Sequence, residues 1–207
     1  MNTPNNIIML WLKSSLTELR VALVATLSLA FLLCGVYPLM TWTIAQVVFP
    51  QKANGSIIVR DGRVLGSFLI AQRFSGPGYF HPRPSAAGNG YDAAASGGSN
   101  LGPTSQKLVD EVRKRVDRYR MENGLRASDP VPADAVTTSA SGLDPHISLK
   151  NALVQARRVS HARGMNEDAV RGRIAAHTEG RDLGFLGEPR VNVMELNLDL
   201  DDLHGKP

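Results

Sequence analysis

The chain has almost no sulfur chemistry available to it. Cys34 is its only cysteine, so no intramolecular disulfide can form. A single thiol also says nothing about redox compartment, and Cys34 reads as a small apolar residue facing lipid or a partner helix. A G-x-x-x-x-G-K-[ST] phosphate loop, a G-x-S-x-G nucleophile elbow and an H-E-x-x-H pair are all missing. The histidines, His81, His146, His161, His177 and His204, are scattered, with no i, i+4 pair to ligate a metal from one helix face. Basic residues are interleaved with acids, 23 against 19 for a formal charge of +4. Nucleic-acid binding needs a clustered basic stripe, so no nucleic acid partner is expected.

The most informative absence is of charge. From Val21 to Gln51 there is no Asp, Glu, Lys or Arg, and Val21–Met40 is apolar almost throughout. A bilayer core of about 30 Å needs roughly 20 such residues in a helix. The run is longer than a signal-peptide core, and Ala45-Gln46-Val47 matches a cleavage site poorly, so an uncleaved anchor is expected. The residues divide into an N-terminal segment (1–20), a transmembrane anchor (21–49) and a soluble domain (50–207). Lys13 and Arg20 precede the span, and Lys52, Arg60 and Arg63 follow it. That balance does not fix orientation. Trp11, Tyr37 and Trp42 suit interfacial positions, and Pro38 predicts a kink or an interfacial turn. Ser28, Ala30 and Gly35 are small residues that let a partner helix approach closely.

The soluble part predicts a small α+β domain. Asp61-Gly62 between Ser56–Arg60 and Arg63–Ile70 predicts a β-hairpin with a tight turn. Ala71–Pro103 is a long Gly/Pro/Ser-rich segment whose rings, Phe74, Tyr79, Phe80 and Tyr91, predict an ordered but irregular loop. Leu108, Val109, Val112, Val116 and Tyr119 recur at helical spacing. Thr104 or Ser105 stands at the start of that helix and Asn123-Gly124 at its end. Arg126–Gly142 reads as linker. A second helix carries Leu149, Ala152, Leu153, Ala156 and Val159 and closes at Gly164. A third is capped by Asn166, with Val170, Ile174 and Ala175 inward. Arg190–Leu198 alternates as a late strand that would join the hairpin's sheet.

Two clusters suggest chemistry. Ser96-Gly97-Gly98-Ser99-Asn100 could expose backbone N–H groups as an anion-binding nest, although a tight turn needs the same residues. Asp144-Pro145-His146, with Ser141 or Ser148 as nucleophile, would make a hydrolase site. A turn before a capped helix explains it more simply.

Read together, these segments resemble the C subunit of the Kdp-type potassium-transporting P-type ATPase of bacteria. The residues that carry the likeness run almost end to end. They include Gly66-Ser67-Phe68-Leu69-Ile70-Ala71-Gln72, Tyr79-Phe80 with Arg83-Pro84-Ser85, and Ala95-Ser96-Gly97-Gly98-Ser99-Asn100. Later come Val131-Pro132, Ser141-Gly142-Leu143-Asp144-Pro145-His146-Ile147-Ser148, Ala152 with Gln155, and Gly187 with Val191-Asn192-Val193.

The resemblance implies an accessory subunit that is no enzyme by itself. Its partners would be a channel-like potassium-binding subunit, a P-type ATP-hydrolysing subunit, a small single-helix subunit and membrane lipid. It implies a single-pass protein of the bacterial plasma (inner) membrane, with a cytoplasmic N-terminus and an extracytoplasmic domain. Two roles stay open. One is a catalytic chaperone that raises ATP affinity through Ser96, Gly97, Gly98 and Ser99. The other is a cap near the potassium entrance. No firmly bound cofactor and no metal are expected; ATP would be met only in complex with the hydrolysing subunit. A membrane-anchored extracytoplasmic hydrolase or sensor is the alternative from a different class.

Overall fold

The computed structural model describes residues 4–204. It contains two compact units, Met1–Ser56 and Ile57–Pro207.

The first unit is built on helix. Helix α1 (Pro4–Ala30) runs through a π-helical segment (Phe31–Val36) into α2 (Tyr37–Val48), and a single turn, α3 (Pro50–Ala53), follows. Trp11–Val48 is apolar enough and long enough to cross a membrane, with a mean hydropathy of 2.2 in its most apolar window. The π segment has a local cause. Pro38 has no N–H, and its ring crowds the carbonyl of the residue four positions before it. The ladder widens just ahead of it, and the Tyr37 N–H donates to the Leu32 carbonyl, five residues back. Such bulges absorb one extra residue without breaking the helix. Thr41 Oγ1 then donates to the carbonyls of Tyr37 and Pro38 at 3.1 and 3.0 Å.

The second unit begins with the hairpin, β1 (Ile57–Arg60) and β2 (Arg63–Ser67). Asp61 and Gly62 both have positive φ, 52° and 73°, as the two-residue turn requires. The second strand is shorter than its β-rich run. Ser67 Oγ accepts from the Leu69 N–H at 3.1 Å and folds the chain into a turn.

Four longer helices follow: α4 (Gln106–Asn123), α5 (Leu149–Arg163), α6 (Glu167–Ala176) and α7 (Val193–His204). Ser105, Ser148 and Asn166 cap the first three through side-chain oxygens. Gly124 and Gly164 end α4 and α5 in the left-handed conformation, the usual helix stop. Val170 and Ile174 of α6 are buried, but Ala175 is exposed.

The three-stranded sheet has the order β3 (His146–Ser148), β5 (Arg190–Asn192), β4 (Thr178–Glu179), all antiparallel. It is separate from the hairpin, whose two strands among the described residues pair only with each other. The expected late strand stops after three residues. From Val193 the chain is helical, because Asn192 Oδ1 accepts from the N–H groups of Met194 and Glu195 at 3.1 and 3.2 Å. That is an N-cap, and the acid of Glu195 sits in the first turn, where the helix dipole favours it. The buried residues Val193, Leu196, Asn197 and Leu200 then follow helical spacing.

The core packs Phe80, Ile147, Ala152, Ala156, Val159, Val170, Ile174, Val191, Val193, Leu196 and Leu200 together. Phe80, from the irregular loop, is fully buried, so that loop contributes to the core rather than covering it. The stretch Arg126–Gly142 is also more than linker. It contains a 3-10 turn (Ala133–Ala135) and buries Val136.

Candidate functional site

The small residues of Ser96–Asn100 lie against Ser139–Leu143. Ser96 Oγ and the Gly97 N–H both donate to the Ser141 carbonyl, at 3.0 and 2.9 Å. Thr138 Oγ1 donates to Ser99 Oγ at 3.4 Å. A Cβ on Gly98 would lie 3.0 Å from the Ala140 carbonyl oxygen. Gly142 is tighter still. Its φ is +67°, and a Cβ there would stand 2.6 Å from the Gly97 carbonyl oxygen and 2.7 Å from the Ala87 nitrogen. Glycine is needed at these contacts for close backbone approach. Gly97 and Gly98 are not left-handed, whereas Asn100 is, at φ 51°. The alternating conformation of an anion nest is thus not formed at Gly97-Gly98, and one of the N–H groups it would use is already spent.

The Asp144-Pro145-His146 cluster is a turn that feeds β3. Asp144 accepts from the His146 N–H at 3.0 Å and from Arg83 Nη1 at 3.1 Å. Burial alone would push the Asp144 carboxyl up, but hydrogen bonds from the His146 side chain and backbone and the Arg83 guanidinium outweigh it. The acid is held below its usual value. Neither serine is poised as a nucleophile. Ser148 Oγ donates to Asp134 at 2.9 Å and accepts from the Asn151 N–H; Ser141 Oγ accepts from the Leu143 N–H. Among the described residues no cluster of three or more His, Cys, Asp or Glu side chains converges as a metal site.

The densest polar construction lies under the loop at Pro77–His81. Asn197 Oδ1 accepts from the Phe80 N–H at 2.8 Å while its Nδ2 donates to the Phe80 carbonyl at 3.0 Å. Gln155 treats His81 in the same way, at 2.8 and 3.1 Å. Two amide side chains thus replace the strand that would otherwise satisfy this backbone. Arg158 donates to the carbonyls of Pro77 and Tyr79, and Arg163 to that of Gly78. Asn151 accepts from the Tyr119 hydroxyl at 2.8 Å and donates to Asp134. Burial raises the Tyr119 hydroxyl pKa, so it stays a donor. Burial, reinforced by the positive charge of Arg158, lowers the His81 imidazole. Of these residues Tyr79, Phe80, Tyr119 and Gln155 stood out in the sequence, as rings, as part of a helical stripe or through the resemblance; Asn151, Arg158, Arg163 and Asn197 carried no signal there.

Ser28, Ala30 and Gly35 are exposed along the anchor helix, and Gly35 falls within the π segment.

Residues 19–202 match the family model for KdpC, the K+-transporting ATPase c chain. The chain belongs to the KdpC family. A relative from Koribacter versatilis, named potassium-transporting ATPase KdpC subunit, is 54% identical over 196 residues, covering 94% of this chain and 97% of its own. One of the same name from Nitratidesulfovibrio vulgaris is 55% identical over 191 residues, 92% and 96% of the two chains. The KdpC subunit of Mycobacterium tuberculosis H37Rv is 56% identical over 168 residues, 81% and 89%. The KdpC match includes both the apolar helix and the α+β unit.

Proposed function

We propose that the chain is a non-catalytic accessory subunit of a bacterial ATP-driven potassium pump. In this reading α1–α2 cross the plasma membrane once, with the N-terminus cytoplasmic and the α+β domain outside, capping the region of the potassium entrance. The expected partners are a channel-like potassium-binding subunit, an ATP-hydrolysing P-type subunit and a small single-helix subunit. The pump assignment is carried by the unbroken family match through anchor and domain, residues 19–202. The cap is favoured over a nucleotide role because the Ser96 hydroxyl and Gly97 N–H are committed to Ser141. A domain beyond a single membrane helix also cannot touch cytoplasmic ATP, so nucleotide enters only through the hydrolysing subunit.

The test is steady-state kinetics of the purified pump carrying Ser96→Ala with Gly97→Ala, titrating each ligand in turn. The cap reading expects an unchanged apparent KM for ATP and an altered potassium dependence or assembly. A pure ATP effect, in a pump whose outward topology has been checked by labelling a cysteine introduced into the α+β domain with a membrane-impermeant thiol reagent, would overturn it and require coupling across the membrane subunits.

A further inference from the structure

A groove of about 1000 Å³ lies beside α5 in the α+β unit, far in sequence from the Ser-Gly-Gly loop. Its wall on α5 is a stripe of Lys150, Leu153, Val154 and Arg157. These residues are spaced i, i+3, i+4, i+7 and so lie along one face of the helix. The two cations are about 10 Å apart along the axis, at about 1.5 Å per residue. Leu153 and Val154 between them are half-buried, while Lys150 and Arg157 are exposed.

The other charges at the rim are already matched. Arg126 pairs with Asp129, Arg171 with Glu167, and Arg181 with Glu188. Among the described residues no ion pair or hydrogen bond engages the Lys150 ammonium or the Arg157 guanidinium; the Ser160 hydroxyl reaches only the Arg157 backbone carbonyl, at 2.9 Å. The groove therefore offers a charge–apolar–apolar–charge strip with two cations to spare.

We propose that this groove docks an amphipathic helix of another polypeptide in the membrane complex. That helix carries two carboxylates seven residues apart with apolar side chains between them, the pattern that mirrors the strip in either chain direction. Helix-in-groove recognition uses this spacing of anchors.

The proposal rests on family membership and not on the cap reading. Its test places a photoreactive benzoylphenylalanine at Val154 of the full chain in the assembled complex, with the adduct mapped by mass spectrometry. The expected adduct lies on a partner helix bearing the two carboxylates. Lys150→Glu with Arg157→Glu should cut its yield about tenfold, since like charges would then face each other. Lys150→Arg with Arg157→Lys should leave it unchanged. Adducts only with lipid, with a second copy of this chain or with a segment lacking carboxylates would overturn the proposal, as would a yield indifferent to charge reversal. A complex that copurifies intact with no adduct at all would sink it while leaving the pump assignment standing.

Discussion

Arg163 and Asp201 meet at 2.8 Å with side chains 1% and 8% exposed, joining the C-terminal end of α5 to α7. The same guanidinium donates to the Gly78 carbonyl at 2.6 Å and lies 5.0 Å from the centre of the Tyr79 ring. One buried cation thus ties two helices and the irregular loop together. Removing one partner of a buried pair leaves a charge without compensation. Asp201→Asn should therefore cost about 3–5 kcal/mol, read as loss of thermal stability of the full chain in detergent. Arg163→Met with Asp201→Leu should recover a large part of that loss. A single variant that melts like the parent would show that the pair contributes little.

Acid should weaken the same region before it protonates the carboxylates. The folded chain holds His81 below its ordinary value of 6.5, through burial and then the positive charge of Arg158. Between 6.5 and that lower value the unfolded chain binds a proton that the folded chain does not. Stability therefore falls as pH drops below 6.5. Asp144 and Asp199, both lowered, act at more acidic pH. The melting temperature should fall between pH 7 and pH 5, and His81→Gln should flatten that fall. An equal slope in the variant would assign the effect to another group.

Gly142 and Gly97 are neighbours with opposite tolerance. A Cβ on Gly97 meets nothing within 4 Å, whereas one on Gly142 runs into two backbone atoms at a φ of +67°. Gly97→Ala should be near neutral for stability. Gly142→Ala should cost about 2–4 kcal/mol, from left-handed strain and overpacking together. Melting curves of the two full-length variants compare them directly, and equal losses would contradict the contact geometry.

In the anchor, a Cβ at Gly35 would touch only its own helix, 3.9 Å from the Phe31 ring. Leucine is thus allowed within the helix, and any loss comes from what packs outside it. Gly35→Leu should insert normally yet weaken recovery of the complex in mild detergent. Unchanged copurification and activity would remove Gly35 from the assembly surface.

Much of the fold is legible in the sequence because local chemistry agrees with it. Asp61-Gly62 specifies the hairpin turn, Ser148 and Asn166 start helices, and Gly124 and Gly164 stop them. Arg190–Leu198 misleads because two periods overlap: Met194, Leu196 and Leu198 alternate, while Val193, Leu196 and Leu200 keep helical spacing. The deciding signal was present in Asn192 followed three residues later by Glu195, a helix-start pattern. The hairpin's isolation was not legible, since strand pairing depends on long-range contacts. The polar lattice was hidden for a related reason. Asn151, Gln155 and Asn197 are buried, but polar residues on amphipathic helices read as solvent-facing until a distant backbone segment arrives to use them.

The pairing of Phe80 with Asn197 and of His81 with Gln155 has a consequence for how this chain tolerates change in length. A strand in a sheet can slip along its neighbour and find equivalent partners two residues away. Two fixed amides offer no such second position. Inserting or deleting one residue near Phe80 would strand both amides and expel the fully buried Phe80 ring from the core. The Pro77–His81 stretch, although irregular, is therefore the part of the loop where spacing is least free to drift, and the flanking glycine- and serine-rich residues are where length variation can be absorbed.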